Sequence, residues 1–281
     1  MARERSVPAT LPAENRPARE GMGMKDLFSV DGRTVLVTGG SRGIGLMIAR
    51  GFVAAGAHVI ISSRKAEVCA AVARELSAHG RCEAIPADLG NDEGARGLAA
   101  AVQDRVDKLD VLVNNAGATW GAPLEDYPES AFDKLWAINV KAVFRLTTAL
   151  LPALRAAAGP DHPARVINIG SVDGLRVPAM EVYAYSATKA ALHMMTRNLA
   201  HQLAGEQITI NAIAPGPFES TMMAFALDDP GTRAAIESQV PLGRIGRPED
   251  MAGTAIYLAS RAGAYLTGAV IPVDGGLTTH G

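Results

Sequence analysis

The sequence predicts a doubly wound α/β fold, in which helices cover both faces of a mostly parallel sheet. Seven short apolar runs alternate with segments of helical pattern over most of the 281 residues. These runs lack the strict alternation of apolar and polar residues that marks a half-exposed strand, so both faces of each strand are expected to be covered. Strand–helix–strand units of this kind join parallel strands by right-handed crossovers.

The positions of the runs give the order of the elements. Predicted strands occupy residues 34–37, 58–61, 82–86, 110–113, 165–169, 208–211 and 270–273. Predicted helices occupy residues 43–55, 65–79, 91–106, 129–158, 183–204 and 248–259, and residues 217–240 have a mixed pattern. Ligands of such sheets bind outside the carboxyl ends of the strands, so we expect the functional residues there.

Composition narrows the possible functions. Residues 1–25 contain three prolines and scattered charges, which predicts a disordered tail, and residues 26–281 show no internal linker and form one predicted domain. The formal net charge of −2 makes binding to nucleic acid a poor prediction. Two cysteines exclude a disulfide framework and a four-cysteine zinc site, and they suit a cytoplasmic protein. We predict no metal site and no membrane span.

A glycine-rich loop follows the first predicted strand, with the spacing G-x-x-x-G-x-G. Glycines allow a tight turn and a close approach of backbone to phosphate, and the next helix directs its first N–H groups at a pyrophosphate. The loop therefore predicts a Rossmann-type dinucleotide site, although an ordinary strand-to-helix turn is an alternative for glycines alone. The predicted cofactor contacts here are Gly39, Ser41, Arg42, Gly43, Ile44 and Gly45.

The end of the second strand indicates which dinucleotide binds. Proteins that bind NAD place a carboxylate there to hold the ribose 2′-hydroxyl, but this strand ends in Ser62, Ser63 and Arg64. Arg42 and Arg64 can bind a 2′-phosphate, which a carboxylate would repel. We therefore predict NADP(H), against the alternative that Arg64 merely begins a solvated helix.

Polar turns follow the third and fourth strands and complete the predicted nucleotide site. Small residues there fit beside an adenine and a ribose, and they also fit an ordinary turn. The predicted contacts are Asp88, Leu89, Asn115, Ala116 and Gly117.

A serine and a Y-x-x-x-K motif follow the fifth strand. Ser171 ends that strand, Tyr185 lies fourteen residues later, and Lys189 lies four residues beyond Tyr185. Residues four apart share a helix face, so the ammonium group can lie beside the phenol. A nearby cation lowers the pKa of a phenol, and a tyrosine with a lowered pKa can protonate the alkoxide formed when a ketone is reduced. Ser171 can hold the carbonyl oxygen.

The order of these motifs resembles the short-chain dehydrogenase/reductase family over nearly all of residues 30–281. The resemblance implies a triad of Ser171, Tyr185 and Lys189, assisted by Asn139 through a water that relays protons. It also implies that Tyr185 and Lys189 contact the cofactor. Further cofactor contacts implied by the resemblance are Pro215, Gly216, Phe218 and Ser220.

Within the family the chain is similar to β-ketoacyl-carrier-protein reductases, which act in fatty acid metabolism. Those reductases carry arginines that dock the acidic carrier, and this chain has Pro152 and His201 at the corresponding positions. Arg155 and Arg197 lie nearby in the sequence. An apolar segment, residues 217–227, is expected to cover the substrate or to be an ordinary amphipathic helix. The resemblance further implies a homo-oligomer, a tetramer or a dimer.

These observations predict an NADPH-dependent reductase of ketones, with a β-ketoacyl thioester or a similar hydrophobic carbonyl, carrier-bound or CoA-bound, as substrate. One alternative is an alcohol or polyol dehydrogenase that uses NAD(P). Another, of a different class, is a nucleotide-binding regulator with an inert site, which the complete set of candidate catalytic residues disfavours.

Overall fold

The computed structural model describes residues 23–219, 223 and 228–279, and it confirms the predicted fold class. The strands are β1 (Thr34–Thr38), β2 (His58–Ser62), β3 (Cys82–Ala84), β4 (Val111–Asn114), β5 (Ala164–Ile169), β6 (Ile208–Pro215) and β7 (Val270–Val273). They form one sheet in the order β3-β2-β1-β4-β5-β6-β7, and every pair of neighbouring strands is parallel. The direction of crossover changes between β1 and β4, which opens a crevice at the carboxyl ends of those strands.

Helices connect the strands and lie close to their predicted positions. They are α1 (Met24–Leu27), α2 (Gly43–Ala54), α3 (Ala66–Ser77), α4 (Asp92–Gln103), α5 (Glu129–Trp136), α6 (Ala142–Ala149), α7 (Leu151–Ala157), α8 (Tyr183–Leu203), α9 (Pro230–Gln239) and α10 (Pro248–Ala259). Most of the predicted tail, residues 1–22, lies outside the described residues. Its last residues, Met24 and Lys25, belong to α1.

Both faces of the sheet are buried, as the continuous apolar runs predict. Along β1, Val35 and Val37 belong to a core cluster with residues of α2 and α10, whereas Leu36 belongs to a second cluster with residues of α4 and α6. Successive side chains of a strand point to opposite faces, so one strand supplies both cores. The sheet is therefore a rigid support for the loops at its carboxyl edge.

The predicted single helix over residues 129–158 is wrong in detail. The structure breaks it into α5, a π-helical turn at Ala137–Lys141, α6 and α7. In the π turn the Ala142 N–H donates to the Ala137 carbonyl, five residues back. Pro152 lies in the first turn of α7, where a missing N–H costs nothing, and residues 129–149 meet α7 at a bend of 57°.

Among the described residues, no single helix has both the length and the apolar character needed to cross a membrane. Residues 129–149 and α7 would qualify by length and composition only if taken together across their bend.

β6 is longer than predicted, reaching Pro215 instead of residue 211. The reason is that Asn211 does not interrupt the strand. Its side-chain amide donates to the Leu266 carbonyl at 2.8 Å, and its side-chain oxygen accepts from the Ala269 N–H at 3.0 Å. A buried polar side chain with partners is tolerated inside a sheet, so the strand continues. Asn211 thereby ties β6 to the loop before β7.

Candidate active site

A single large cleft crosses the carboxyl edge of the sheet, between the glycine-rich loop at one end and the first turns of α8 at the other. Its volume is about 1710 Å³. Pockets for one drug-sized ligand occupy roughly 300–1,000 Å³, so this cleft has room for a dinucleotide and a second molecule. We call the end beside β1 and β2 the dinucleotide half, and the end beside β5 and α8 the catalytic half.

The glycine-rich loop brings backbone, not side chains, to the dinucleotide half. Gly39 and Gly43 have φ angles of +65° and +52°, which L side chains rarely adopt, and α2 begins at Gly43. A Cβ atom on Gly45 would lie 2.3 Å from the Gly39 carbonyl oxygen, so the first turn of α2 packs directly on the loop. The free N–H groups at the start of α2 can therefore approach a phosphate closely.

A set of hydrogen bonds holds this loop to the end of β4. The Thr38 hydroxyl accepts from the backbone N–H groups of Asn115 at 2.9 Å and Ala116 at 3.0 Å. The Asn115 side-chain amide donates to the Thr38 carbonyl at 2.8 Å. The turns after β1 and β4 thus form one rigid unit, although Thr38 and Asn115 are 77 residues apart in the sequence.

Positive charge and unsatisfied hydroxyls surround the site predicted for a 2′-phosphate. Arg42 and Arg64 both line the cleft, are exposed, and form no ion pair with a described residue. The Ser62 and Ser63 hydroxyls line it too, are shielded from solvent, and have no hydrogen-bond partner among the described residues. Buried hydroxyls normally have a partner, so these two fit a bound acceptor such as a phosphate.

The catalytic half brings together the serine, tyrosine and lysine that the sequence predicts. Ser171 lies at the end of β5, and Tyr185 and Lys189 lie on the first turns of α8; all three line the cleft. The Lys189 ammonium group donates to the Ile169 carbonyl at 2.8 Å and lies 5.5 Å from the centre of the Tyr185 ring. Strand β5 and helix α8 thus hold a phenol, an ammonium group and a serine hydroxyl at the same end of the cleft.

The pKa of Tyr185 does not shift as predicted. Burial raises the pKa of its phenol to about 12, the hydrogen bond with Ser171 opposes that rise, and the negative charge of Asp173 adds to it. The predicted net lowering of this pKa is wrong, because burial is the largest effect on the phenol and the Lys189 ammonium group donates its hydrogen bond to the Ile169 carbonyl. Burial also lowers the pKa of Lys189 to about 8. The phenol is consequently protonated at neutral pH, the form that donates a proton.

Asn139 lies behind the cleft, in the π turn. Its side-chain amide donates to the Ala118 carbonyl and to the Thr188 hydroxyl, both at 3.0 Å, and its side-chain oxygen accepts from the Ala118 N–H at 3.0 Å. Both donor hydrogens are used, so the side chain joins the turn after β4 to α8 beside Lys189. π turns often occur at functional sites, and this one fixes the wall behind the lysine.

Comparisons with known proteins agree with this geometry. A family model described as enoyl-(acyl carrier protein) reductase matches residues 39–278. The chain is also 54% identical over 253 residues to the rhamnolipids biosynthesis 3-oxoacyl-[acyl-carrier-protein] reductase of Pseudomonas aeruginosa, covering 90% of this chain and 99% of that protein. The chain belongs to the short-chain dehydrogenase/reductase family. The predicted likeness to β-ketoacyl-carrier-protein reductases, and to the reductase linked to rhamnolipid synthesis, is confirmed.

Solved structures of the family match the whole described fold. The Pseudomonas aeruginosa RhlG/NADP active-site complex has a TM-score of 0.88 and 53% identity, covering 90% of this chain and 99% of that one. A gluconate 5-dehydrogenase of Burkholderia cenocepacia, in complex with NADP and tartrate, has a TM-score of 0.84 and 33% identity, covering 92% of this chain and 99% of that one.

Most predicted site residues of this short-chain dehydrogenase/reductase line the cleft, and two of the described ones do not. Those that line it are Gly39, Ser41, Arg42, Gly43, Ile44, Arg64, Asp88, Leu89, Asn115, Ala116, Gly117, Ser171, Tyr185, Lys189, Pro215, Gly216 and Phe218. Gly45 and Asn139 lie behind its walls, and Ser220 lies outside the described residues. Of the apolar segment 217–227, Phe218 and Met223 line the cleft, and most of the rest is not described.

The sequence reasoning missed a buried network that positions the catalytic half. The Asn114 side-chain amide donates to the Asn168 side-chain oxygen at 2.9 Å, and the Asn168 amide donates to the Thr196 hydroxyl at 2.9 Å. These bonds join β4, β5 and α8 below the cleft. Asparagine at the ends of two adjacent apolar strands was the available signal, because an unpartnered amide there would be costly.

The buried ring of His193 packs beneath the turn that carries Ser171. Its ring lies against Gly170 and Gly174, where an added Cβ would come within 2.1 Å and 2.9 Å of ring atoms. Burial, with the charge of Lys189, lowers the pKa of His193 to about 4. The neutral ring therefore fills space under the loop that carries Ser171.

Proposed function

We propose that this protein is an NADPH-dependent reductase that delivers hydride to the carbonyl carbon of a ketone. The observation that carries the proposal is the convergence of Ser171, Tyr185 and Lys189 at one end of a cleft whose other end is the glycine-rich loop with Arg42. The names of the relatives support it. One relative is a 3-oxoacyl-[acyl-carrier-protein] reductase, and the RhlG structure was solved as a complex with NADP.

The dinucleotide half supports NADP(H) as the cofactor. The N–H groups at the start of α2 would hold the pyrophosphate, and Arg42, Ser63 and Arg64 would hold the 2′-phosphate. The NADP named in the two solved relatives agrees with this choice. When bound, the reduced cofactor supplies the hydride.

The side chains of the catalytic half supply the proton and the orientation. The Ser171 hydroxyl donates a hydrogen bond to the substrate carbonyl oxygen, which fixes that oxygen beside the phenol. Tyr185, protonated because burial raises its pKa to about 12, donates its proton to the same oxygen as negative charge develops there. The Lys189 ammonium group, 5.5 Å from the ring centre, stabilises the phenolate that remains. Asn139 holds the wall behind Lys189, and a water-mediated proton relay at this point is part of the proposal.

We propose a β-ketoacyl thioester or a similar hydrophobic ketone as the substrate, carrier-bound or CoA-bound. Apolar side chains dominate the wall beyond Tyr185, including Val172, Met180, Val182 and Met223. Docking of an acidic carrier has weaker support. The Arg155 guanidinium group already donates to both carboxylate oxygens of Glu206, at 2.6 Å and 3.1 Å, so its charge is neutralised within the chain.

A reversible polyol or sugar-acid dehydrogenase is the second candidate, and the likeness to a gluconate 5-dehydrogenase favours it. The test is to follow NADPH absorbance with acetoacetyl thioesters, long-chain β-ketoacyl thioesters, diketones and keto-sugars side by side. We expect the fastest oxidation of NADPH with the thioesters or diketones. Faster turnover of keto-sugars selects the second candidate, a strong preference for NADH contradicts the cofactor assignment, and no turnover at all favours the inert regulator.

The proposal includes a cytoplasmic homo-oligomer, a tetramer or a dimer. Large aromatic side chains are exposed on α5 and α6, where Phe132 and Phe144 keep 44% and 49% of their surface exposed. Such side chains on adjoining helices are typical of surfaces that pair with another subunit. Light scattering of the purified protein measures the subunit number directly.

A further inference from the structure

The substrate side of the cleft contains a basic residue for which the proposed reaction has no use. Arg176 follows Ser171 by five residues and lines the catalytic half. Its Nε atom is shielded from solvent and has no hydrogen-bond partner among the described residues. A shielded guanidinium N–H without an acceptor is costly, and the rest of this half-buried side chain lines the cleft, where its positive charge faces any molecule that enters.

The backbone fixes Arg176 relative to the reacting centre. The Arg176 N–H donates to the Val172 carbonyl at 3.0 Å, and the Asp173 N–H donates to the Ser171 hydroxyl oxygen at 3.1 Å. One short turn thus carries both Ser171 and Arg176. A group bound by Arg176 would belong to the same molecule as the ketone held by Ser171, because both lie on the substrate side of the cleft.

No carboxylate of the described residues forms an ion pair with the Arg176 guanidinium group. Asp173 lies on the same turn: burial raises the pKa of its carboxyl group and the positive charge of Arg176 opposes that rise, but no ion pair among the described residues joins the two side chains. The sequence of residues 220–227 contains no charged side chain, so that segment cannot supply one. Elsewhere in the lining, Asp88 belongs to the dinucleotide half.

The surrounding wall strengthens the attraction for an anion. Apolar side chains of Val172, Pro178, Met180 and Val182 line the cleft beside Arg176. Charge-assisted hydrogen bonds are stronger where water is partly excluded. A planar guanidinium group also matches the geometry of carboxylates and phosphates.

We propose that Arg176 binds an anionic group of the substrate, a carboxylate or a phosphate remote from the ketone. This inference rests on the proposed function, since it names the class of molecule that the same cleft reduces. A carboxylate would come from a keto acid, and a phosphate from the coenzyme A or 4′-phosphopantetheine portion of an acyl thioester. Either group would orient the substrate by one charged end, with its ketone at Ser171.

Binding to the NADP⁺-loaded protein tests the proposal without turnover. Calorimetry measures the affinities of coenzyme A and D-gluconate for the wild type, Arg176→Gln and Arg74→Gln. Arg74 is an exposed residue of α3 outside the cleft, so its variant removes the same charge elsewhere. We expect at least one of the two ligands to bind the wild type and to bind Arg176→Gln about 10- to 100-fold more weakly, the loss typical of a charged hydrogen bond. Arg74→Gln should retain the wild-type affinity.

The ligand whose affinity falls in Arg176→Gln identifies the chemical source of the anion. Loss of coenzyme A affinity alone selects the phosphate, and loss of gluconate affinity alone selects the carboxylate. The proposal is overturned if neither ligand binds the wild type, or if Arg176→Gln binds both as tightly as the wild type does.

Turnover of matched substrates separates this inference from the proposed function. Acetoacetyl-coenzyme A is compared with uncharged acetoacetyl-N-acetylcysteamine, and 5-keto-gluconate with uncharged fructose. Arg176→Gln should raise KM about 10-fold or more for the charged member of a pair and leave the neutral member within about 2-fold. Equal changes for both members contradict the role of Arg176, whereas failure of the wild type to oxidise NADPH with any of them contradicts the reductase itself.

Discussion

The dinucleotide half and the catalytic half of the cleft are built from different parts of the chain. In the dinucleotide half, the backbone of the glycine-rich loop and of the start of α2 faces the ligand, and the loop is held from behind by Thr38 and Asn115. In the catalytic half, the side chains of Ser171, Tyr185 and Lys189 face the ligand. The proposed pyrophosphate site therefore requires glycines that carry no side chain, whereas the catalytic half requires specific side-chain atoms.

This difference determines which substitutions damage each half. Adding a methyl group should damage a site where backbone must approach a phosphate, whereas removing a single oxygen should damage a site where a side chain moves a proton.

Tyr185→Phe removes one oxygen from the catalytic half. We expect kcat for ketone reduction to fall by about 10³- to 10⁴-fold, because the proton donor is lost. The affinity for NADPH, measured by fluorescence titration, should change by less than about 3-fold, since the dinucleotide half is untouched. Substantial turnover by this variant would show that another group donates the proton.

Gly45→Ala adds one carbon atom behind the glycine-rich loop. Its Cβ would lie 2.3 Å from the Gly39 carbonyl oxygen and 2.4 Å from the Asn115 side-chain nitrogen, so the loop must move. We expect NADPH to bind at least about 100-fold more weakly and the free energy of unfolding to fall by roughly 1–3 kcal/mol.

Gly97→Ala is the matched control, because nothing lies within 4 Å of the position of its added Cβ on α4. This variant should bind NADPH normally and gain up to about 1 kcal/mol in stability, since alanine favours a helix. Normal NADPH binding by Gly45→Ala would contradict the close packing of loop and helix.

Arg64→Gln removes a charge at the edge of the dinucleotide half. We expect kcat/KM with NADPH to fall by about 10- to 100-fold, and kcat/KM with NADH to stay within about 2-fold, because only NADPH carries the 2′-phosphate. Arg74→Gln again serves as the control, with both values unchanged. Equal losses of kcat/KM with the two cofactors would mean that Arg64 supports the loop and does not bind the 2′-phosphate.

The same contrast explains what could be predicted from sequence. The glycine-rich loop and the Tyr185–Lys189 pair are short contiguous patterns whose geometry follows from one turn or one helix. The π turn that carries Asn139 has no comparable signal, because the i+5 hydrogen bond depends on packing against Ala118 and Thr188. Helical periodicity alone therefore predicted one continuous helix there.

The pKa of Tyr185 and the setting of Arg176 illustrate a second limit. Spacing puts Lys189 beside Tyr185, but burial, which governs the phenol, depends on elements far apart in sequence. The Arg176 Nε atom, which has no hydrogen-bond partner among the described residues, likewise becomes evident only when the cleft is assembled. Local patterns predict which groups are present, whereas their ionisation depends on how the whole chain packs around them.

The pH dependence of ketone reduction tests the role of Lys189 in the catalytic half. Its expected effect on kcat/KM is smaller than that of the substitutions above. Burial lowers the pKa of Lys189 to about 8, so its ammonium group is charged below that pH and loses its charge above it. Tyr185, with a pKa of about 12, stays protonated throughout, so the loss of activity must come from the lysine. We expect kcat/KM at saturating NADPH to be level between about pH 6.5 and 7.5 and to fall by up to about 10-fold per pH unit above 8, as a phenolate without a neighbouring cation becomes harder to form. NADPH affinity measured over the same range serves as the control, because a parallel decline would assign the change to cofactor binding. A level profile through pH 9.5 would mean that the charge of Lys189 does not assist proton transfer.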